Sequence, residues 1–196
     1  MFAGIQVTCE HLFGESSLKG RRVLVQGTGS VGRSLIEYLR AAGAEVLFSE
    51  VDEGVIRHFR DELGLRFVPP EAVYTTECDL FAPCALGGVL NANTIPQLKC
   101  RAVAGAANNQ LADPDDAERL QARGILYAPD YVVNVGGAMF LLGVESQGWT
   151  QERAEKEVVG TVRRALRQVF ELAATEGITT DAAAYRIAGE RLSAKK

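Results

Sequence analysis

The 196-residue sequence has no long hydrophobic run, no excess of basic residues and no recognisable secretory signal. The most apolar stretch, 131–144, contains Asn134, Gly136 and Gly137, and it is too short to cross a membrane as a helix. The formal net charge of −4 argues against nucleic acid as a partner, because neutralising phosphates requires a basic surface. The N-terminus lacks the basic segment that opens a signal peptide. We therefore expect no membrane span, no secretion and no nucleic-acid binding.

Cysteine and histidine are also scarce, with four and two residues respectively. None of the cysteines forms a C-x-x-C pair, and His11 and His58 are isolated, so the sequence predicts no metal site. Scattered cysteines in a mid-sized apolar chain are typical of reduced, mostly buried thiols, and we expect a cytoplasmic protein.

The sequence does contain a regular alternation of short β-branched runs and amphipathic stretches. Its 47% of hydrophobic and 23% of charged residues are ordinary for a globular protein, and 196 residues suit one domain. Such alternation is typical of βαβ units around a parallel sheet. We predict an α/β fold with a doubly wound parallel sheet, the Rossmann fold, in the strand order 3-2-1-4-5-6. The predicted strands are 22–26, 45–49, 66–68, 79–82, 102–104 and 125–127.

Crossover helices are predicted between these strands, at 30–42, 52–63 and 114–123. Asp113 is the expected N-cap of the third helix. Helical spacing predicts that the buried face of the first helix contains Val31, Leu35, Ile36 and Leu39.

The two ends of the chain are predicted to be helical. Residues 3–13 resemble the last turns of a helix, Thr150 is expected to cap a long helix, and a last helix spans 181–192. The predicted organisation is one domain over 1–196, with 1–20 as a linker helix, 21–133 as the Rossmann core and 134–196 as a helical C-terminal part.

A glycine-rich turn follows the first predicted strand and opens the first crossover helix. Its G-x-G-x-x-G pattern stands in the context that a dinucleotide-binding fingerprint requires. The first glycine permits the tight turn, the second lets backbone N–H groups approach a pyrophosphate, and the third lets the helix pack on the strand. The N-terminus of that helix attracts the anion. The alternative is an ordinary turn that holds three glycines. The predicted phosphate loop comprises Gly27, Thr28, Gly29, Ser30, Val31 and Gly32.

A carboxylate at the end of the second predicted strand gives a second indication of nucleotide binding. Glu50 lies 18 residues after Gly32, where it can accept hydrogen bonds from the ribose hydroxyls of adenosine. Because a carboxylate there repels a 2′-phosphate, NAD is favoured over NADP. The neighbouring Val51 and Asp52 are expected in the same site, and Asp52 is an alternative to Glu50, which would then be a solvated charge. Arg57 is close enough in sequence to accommodate a phosphate.

Three longer segments resemble the leucine, phenylalanine and valine dehydrogenase family. They are Cys78–Gly88, Val103–Asn109 and Tyr127–Gly137, and the likeness extends from about Gly4 to the C-terminus. The resemblance implies an NAD-dependent enzyme that reversibly deaminates an L-amino acid to a 2-oxo acid and ammonia, with hydride transfer to NAD⁺. Its small-molecule partners would be the amino acid and the 2-oxo acid.

The resemblance also assigns roles to residues that follow the later strands. Asn108 would face the nicotinamide ribose, and Asn134 would reach the nicotinamide carboxamide or the substrate carboxylate. The alternatives are that Asn108 and Asn109 stabilise a turn and that Asn134 caps the helix near Gly136. The further cofactor residues implied by the family are Cys84, Ala85, Leu86, Ala106 and Ala107. Cys84 is expected to pack rather than react, because no histidine or lysine lies nearby in sequence.

The same resemblance implies a substrate pocket that contains Asn134, Gly137, Ala138 and Leu141. The segment 136–141 resembles the phenylalanine-specific branch, and the small Ala138 leaves room for an aromatic or large aliphatic side chain. The alternative is that Ala138 and Leu141 only pack their helix. Val135 departs from the alanine that is common in the family, and its side chain either tightens the nicotinamide pocket or points into the core.

In this family a separate N-terminal domain supplies a lysine in a glycine-rich segment and an aspartate that handles protons. None of the five lysines here follows such a segment, so no catalytic residue is assigned and the catalytic domain is expected to be absent. The chain is then either a fragment of a dehydrogenase or a stand-alone NAD(H)-binding sensor or partner subunit; another Rossmann protein such as a methyltransferase is disfavoured by the family segments. The oligomeric state is left open, and a homo-oligomer is one expectation.

Overall fold

The computed structural model, which describes residues 1–194, has six parallel strands in one sheet. The strands are β1 (Arg22–Gln26), β2 (Glu45–Ser49), β3 (Arg66–Phe67), β4 (Leu80–Pro83), β5 (Ala102–Val103) and β6 (Leu126–Tyr127). Their order is β3-β2-β1-β4-β5-β6, which confirms the predicted doubly wound topology. Strands β2 and β3 lie on one side of β1 and strands β4 to β6 on the other, so the order of the strands switches between β1 and β4. Such sheets bind ligands at this switch point.

Eight α-helices accompany the strands in the part of the chain that the structure describes. They are α1 (Phe2–Phe13), α2 (Ser30–Ala41), α3 (Glu53–Arg57), α4 (Asp116–Ala122), α5 (Asp130–Val133), α6 (Gly136–Leu141), α7 (Gln151–Glu176) and α8 (Thr180–Ser193). No helix among residues 1–194 is both long and apolar enough to cross a membrane.

Both faces of the sheet are buried, as is usual for parallel strands. One core cluster joins Val23 and Val25 of β1 to side chains of α1, α2, α7 and α8. Leu24 points to the other face, where it packs in a second cluster with Leu120 of α4 and with Val73 from the turn at Pro70–Thr75. Because side chains alternate along a strand, three consecutive apolar residues of β1 supply two separate cores.

Several local predictions need correction. The helix predicted at 52–63 is α-helical only to Arg57 and continues as a π-helical turn at His58–Glu62. The third crossover helix begins at Asp116, and Asp113 does not cap it; the Asp113 carboxylate accepts the backbone N–H of Asp115 instead, at 2.9 Å. The predicted strands 66–68, 102–104 and 125–127 are each one residue shorter in the structure.

The position of Val31 also differs from the prediction. Leu35, Ile36 and Leu39 are buried, but Val31 is 53% exposed. Val31 lies in the first turn of α2, where it lines an open groove instead of the core. The predicted N-cap of the long helix near the C-terminus is confirmed, because the Thr150 hydroxyl accepts the N–H of Arg153 at the start of α7.

Candidate cofactor site

The phosphate loop connects β1 to α2 in the predicted way. Gly27 has φ +91°, a left-handed conformation that L side chains rarely adopt. Gly29 is the N-cap residue of α2, and no side chain caps the helix there. The first N–H groups of α2 have no intrahelical partner, so they are available to an anion. A Cβ built on Gly29 meets no protein atom within 4 Å, and the space in front of these donors is open.

Thr28 ties the phosphate loop to the end of β2. Its side chain is buried, its hydroxyl donates to Glu50 Oε2 at 2.7 Å, and its backbone N–H donates to the same oxygen at 2.9 Å. Glu50 Oε1 accepts the N–H of Val51 at 2.7 Å. Sequence reasoning placed Glu50 and Thr28 in one site but did not predict that they bind each other.

The carboxylate of Glu50 is stabilised in its charged form. Burial raises its pKa, but hydrogen bonds from Thr28, Val51 and Asp52 outweigh burial and hold the pKa below its ordinary value. Glu50 therefore remains ionised at neutral pH, as a hydrogen-bond acceptor for ribose hydroxyls must be.

Glu50 lines an open cleft of about 370 Å³ beside the phosphate loop. Asp52 also borders the cleft, but its Oδ1 already accepts the N–H groups of Gly54 and Val55 as the N-cap of α3. Both carboxylates thus border the cleft, Glu50 bound to Thr28 and Val51 and Asp52 bound to the first turn of α3. The positive group at this cleft is Arg33 of α2, which sequence reasoning did not name.

The loop after β4 packs directly against the phosphate loop. A Cβ on Gly27 would lie 2.7 Å from the Cβ of Ala85. The N–H of Cys84 donates to the carbonyl of Gln26 at 2.7 Å, and burial raises the pKa of the Cys84 thiol to about 11. This supports packing rather than nucleophilic reaction for Cys84. Leu86, at the tip of the loop, is 75% exposed.

The loop after β5 carries Asn108 and is held close to the loop after β4. A Cβ on Gly87 would lie 2.5 Å from the carbonyl oxygen of Asn108, so the two loops approach each other through backbone atoms. Ala107 is buried and its N–H donates to the Pro83 carbonyl at 2.9 Å, while Ala106 is half-buried. Asn108 is exposed at the edge of this packing.

Asn108 and Asn134 lie together, although 26 residues separate them in sequence. The side-chain amide of Asn134 donates to Asn108 Oδ1 at 2.6 Å. The alternative prediction that Asn134 caps the helix near Gly136 is wrong, because Val135 is the N-cap residue of α6 and no side chain caps it. The structure thus joins the two amides that the family resemblance assigned to the nicotinamide side.

The residues of the predicted substrate pocket lie on one side of α6. Gly137, Ala138 and Leu141 are exposed, whereas Gly136 and Phe140 face a groove of about 730 Å³ between α1, α2, α6 and α7. Val31 lines the same groove. A pocket around Ala138 and Leu141 remains a prediction.

Two of the described lysines lie at the end of the sheet opposite to this site. Lys19 contacts Gly43 just before β1 begins, and Lys99 precedes β5. Lys156 is exposed on α7. Among the described residues, the side-chain partner of Asn134 is Asn108 and not a lysine.

A family model described as glutamate/leucine/phenylalanine/valine dehydrogenase matches residues 47–196. The chain belongs to this dehydrogenase family. A leucine dehydrogenase of Thermoactinomyces intermedius is 41% identical over 98% of this chain and 52% of its own length. A phenylalanine dehydrogenase of Lysinibacillus sphaericus is 40% identical over 93% of this chain and 49% of its own length. These identities are too similar to select one substrate.

One solved structure agrees with this membership of the dehydrogenase family, and a second shares the fold. The crystal structure of L-tryptophan dehydrogenase from Nostoc punctiforme matches 98% of this chain and 57% of that chain with a TM-score of 0.93 and 39% identity. A hetero-hexameric glutamate dehydrogenase from Thermus thermophilus, at 24% identity and a TM-score of 0.76, shares the fold. The chain spans about half the length of the curated relatives it matches. Membership in a dehydrogenase family with a Rossmann-like fold implies a nicotinamide cofactor.

The most important residue that sequence reasoning missed is Asp130. It stands inside the segment 127–137, but the family resemblance gave it no role. Its side chain is only 6% exposed and accepts hydrogen bonds from Tyr127 and Asn109. A charged residue in an otherwise apolar run was the available signal, since buried charges require partners.

Proposed function

We propose that this chain is the NAD-binding half of an L-amino-acid dehydrogenase that acts on a hydrophobic or aromatic amino acid. The observation that carries the proposal is the geometry at the phosphate loop. The uncapped N-terminus of α2 faces open space at Gly29, and the ionised Glu50 stands beside it in the same cleft. An anion acceptor and a ribose acceptor are thus side by side.

In this proposal the backbone N–H groups of Gly29, Ser30 and Val31 hold the pyrophosphate, and Glu50 holds the adenosine ribose. Ala85, Asn108 and Asn134 would hold the opposite half of the cofactor, which would supply the hydride acceptor of the reaction. The side-chain amides of Asn108 and Asn134 would fix the orientation of that half of the cofactor by hydrogen bonds.

The preference for NAD over NADP is part of the proposal. Glu50 is ionised and partly desolvated by Thr28, so a 2′-phosphate on the same ribose would meet an uncompensated negative charge. Arg33 borders the cleft and is the one described cation there that could offset this repulsion. We therefore propose discrimination rather than complete exclusion of NADP.

The amino-acid chemistry needs groups that residues 1–194 do not bring to Asn134. Oxidative deamination requires a carbonyl polariser and a proton acceptor next to the cofactor, and among residues 1–194 Asn134 is paired with Asn108 and with no lysine. We propose that these groups reside on a domain like the other half of the longer relatives.

Fluorescence titration with NADH tests the central claim. The 196-residue chain should bind NADH with a dissociation constant in the micromolar range, and binding should be weaker for NADPH. Calorimetry with ADP provides a control for the adenosine end. A chain that binds neither NADH nor ADP would contradict the assignment of this cleft.

A further inference from the structure

A buried carboxylate lies behind the pair of amides at the nicotinamide end. Asp130 begins α5, immediately after β6, and its side chain is 6% exposed. Its two oxygens are used differently. Oδ1 accepts the hydroxyl of Tyr127 at 2.7 Å, and Oδ2 accepts the backbone N–H of Asn109 at 2.9 Å. One residue thereby connects the end of β6 to the loop that follows β5.

The backbone N–H that donates to the Asp130 carboxylate belongs to Asn109, which has a strained backbone conformation. Asn109 has φ +52°, and it is the only non-glycine residue among 1–194 with positive φ. A left-handed conformation outside glycine costs free energy and persists where surrounding contacts hold it. The carbonyl of Asn109 is held as well, because it accepts the N–H of Gly88 at 2.8 Å. The conformation of the loop thus depends on hydrogen bonds at both sides of Asn109.

The strained turn sets the direction of the preceding residue. Asn108 projects from this loop to the exposed edge, where its Oδ1 accepts the amide of Asn134 at 2.6 Å. Asn134 in turn follows α5, whose first residue is Asp130, and its backbone N–H donates to the Asp130 carbonyl at 2.8 Å. Asp130 therefore binds two backbone N–H groups near the Asn108–Asn134 pair, that of Asn109 with its carboxylate and that of Asn134 with its carbonyl.

The other end of the Asp130 network is anchored in the core. Tyr127 is 2% exposed, and burial, followed by the hydrogen bond to Asp130, raises the pKa of its phenol. The phenol thus remains a donor at any ordinary pH. The Tyr127 carbonyl accepts the hydroxyl of Thr180 at 2.7 Å, which connects the network to the start of α8.

We propose that Asp130 is a positioning residue for the nicotinamide half of the cofactor, acting through the Asn109 N–H to orient Asn108. This role rests on the proposed function, because it presumes that Asn108 and Asn134 contact that half. Asp130 itself is buried behind the loop and would act without touching the cofactor. Its effect should be confined to the nicotinamide end, since the adenosine end is held by Glu50 and the phosphate loop on other strands.

The experiment compares NADH with ADP, which contains the adenosine end and the diphosphate but no nicotinamide. In Asp130→Leu, which is similar in size and has no acceptor, the dissociation constant for NADH should rise about tenfold while that for ADP changes less than twofold. Tyr127→Phe is the matched control, because it removes both hydrogen bonds between the Tyr127 hydroxyl and Asp130 and leaves the Asn109 N–H paired. It should lower the unfolding midpoint without changing the ratio of the two constants.

Asp130→Asn tests the same role if Asp130→Leu fails to fold by circular dichroism. Its amide oxygen can accept the Asn109 N–H and its NH₂ can donate to the Tyr127 oxygen, so it should retain NADH affinity to within about threefold. A neutral acceptor binds the N–H less strongly, and hydrogen exchange of the Asn109 amide should be faster than in the wild type.

The possible results separate this role from the proposed function. A wild-type chain that binds neither ligand overturns the proposed function and this role with it. A wild-type chain that binds both, with Asp130→Leu weakening both equally or neither, overturns the positioning role alone. Unchanged exchange of the Asn109 amide in Asp130→Asn also counts against it.

Discussion

Gly32, in the first turn of α2, lies so close to the carbonyl oxygen of Gly27 that a Cβ on Gly32 would overlap that oxygen. The close approach brings the helix N-terminus to the strand end where an anion can meet its N–H groups. Gly32→Ala should therefore force the helix away from the strand, at a cost of about 2–3 kcal/mol in the free energy of unfolding. Urea unfolding measures this loss. Gly189→Ala on α8, where a Cβ meets no atom within 4 Å, is the control and should lose no stability. A loss below about 0.5 kcal/mol in Gly32→Ala would show that the helix can move freely.

Gly29→Ala should separate binding from stability. Gly29 has φ −63°, which alanine adopts without strain, and a Cβ there meets no protein atom. The chain should fold as before, but the methyl group would occupy the space in front of the α2 N–H groups. We expect NADH affinity to fall at least about tenfold, or about 1.4 kcal/mol. Fluorescence titration checks this, again beside Gly189→Ala. Equal affinity in wild type and Gly29→Ala would exclude this loop as the pyrophosphate site.

Glu50→Ser should narrow the gap between NAD and NADP. Removing the charge next to the ribose removes the repulsion of a 2′-phosphate, which we place at roughly 1 kcal/mol in a partly screened cleft, or about fivefold in relative affinity. Glu53→Ser is the matched control, since it removes the same charge three residues later on the exposed start of α3. Calorimetric affinities for both cofactors provide the measurement. A wild type that binds NADH and NADPH equally would mean that Glu50 is only a solvated charge.

The pKa of Glu50 predicts a pH window for its contribution to stability. Because the folded-state pKa is held below the ordinary value of about 4.3, the ionised form is favoured by folding. The contribution is complete above that ordinary value and is lost as the pH falls through the lower folded value. Compared with Glu50→Gln, the wild type should be more stable by less than about 1 kcal/mol near neutrality, because Glu50 is only partly buried and solvent still screens its charge. Unfolding curves between pH 3 and pH 7 test this, and a difference that grows in acid would have the wrong sign.

Catalysis should require more than the residues described. We expect the 196-residue chain to give no turnover of phenylalanine, leucine, valine or glutamate with NAD⁺, because none of its lysines follows a glycine-rich segment like the one that carries the catalytic lysine in this family. The same assay with the N-terminal domain of a family member added should restore activity if the two halves dock. Turnover by the chain alone would overturn this reasoning. A reconstituted enzyme that prefers glutamate would overturn the expectation of a hydrophobic or aromatic substrate.

The sequence was most informative where structure depends on local pattern. Strand order and the phosphate loop followed from the periodicity and from the spacing of Gly27, Gly29 and Gly32. Periodicity identifies the apolar face of a helix but does not show which part of that face lines an open groove, so it wrongly predicts that Val31 is buried. It also does not predict that Asp130 pairs with Asn109, because 21 residues separate them and the contact depends on how two strand ends align in the folded sheet.

The contact between Gly27 and Ala85 restricts which residues can replace either one in related sequences. The two positions are 58 residues apart in sequence, yet each occupies the space that a larger side chain on the other would need. A saturation library over both positions should therefore yield folded clones almost only with glycine at 27 and with alanine, serine or glycine at 85. Enlarging residue 85 cannot be offset at position 27, which has no atoms to give up.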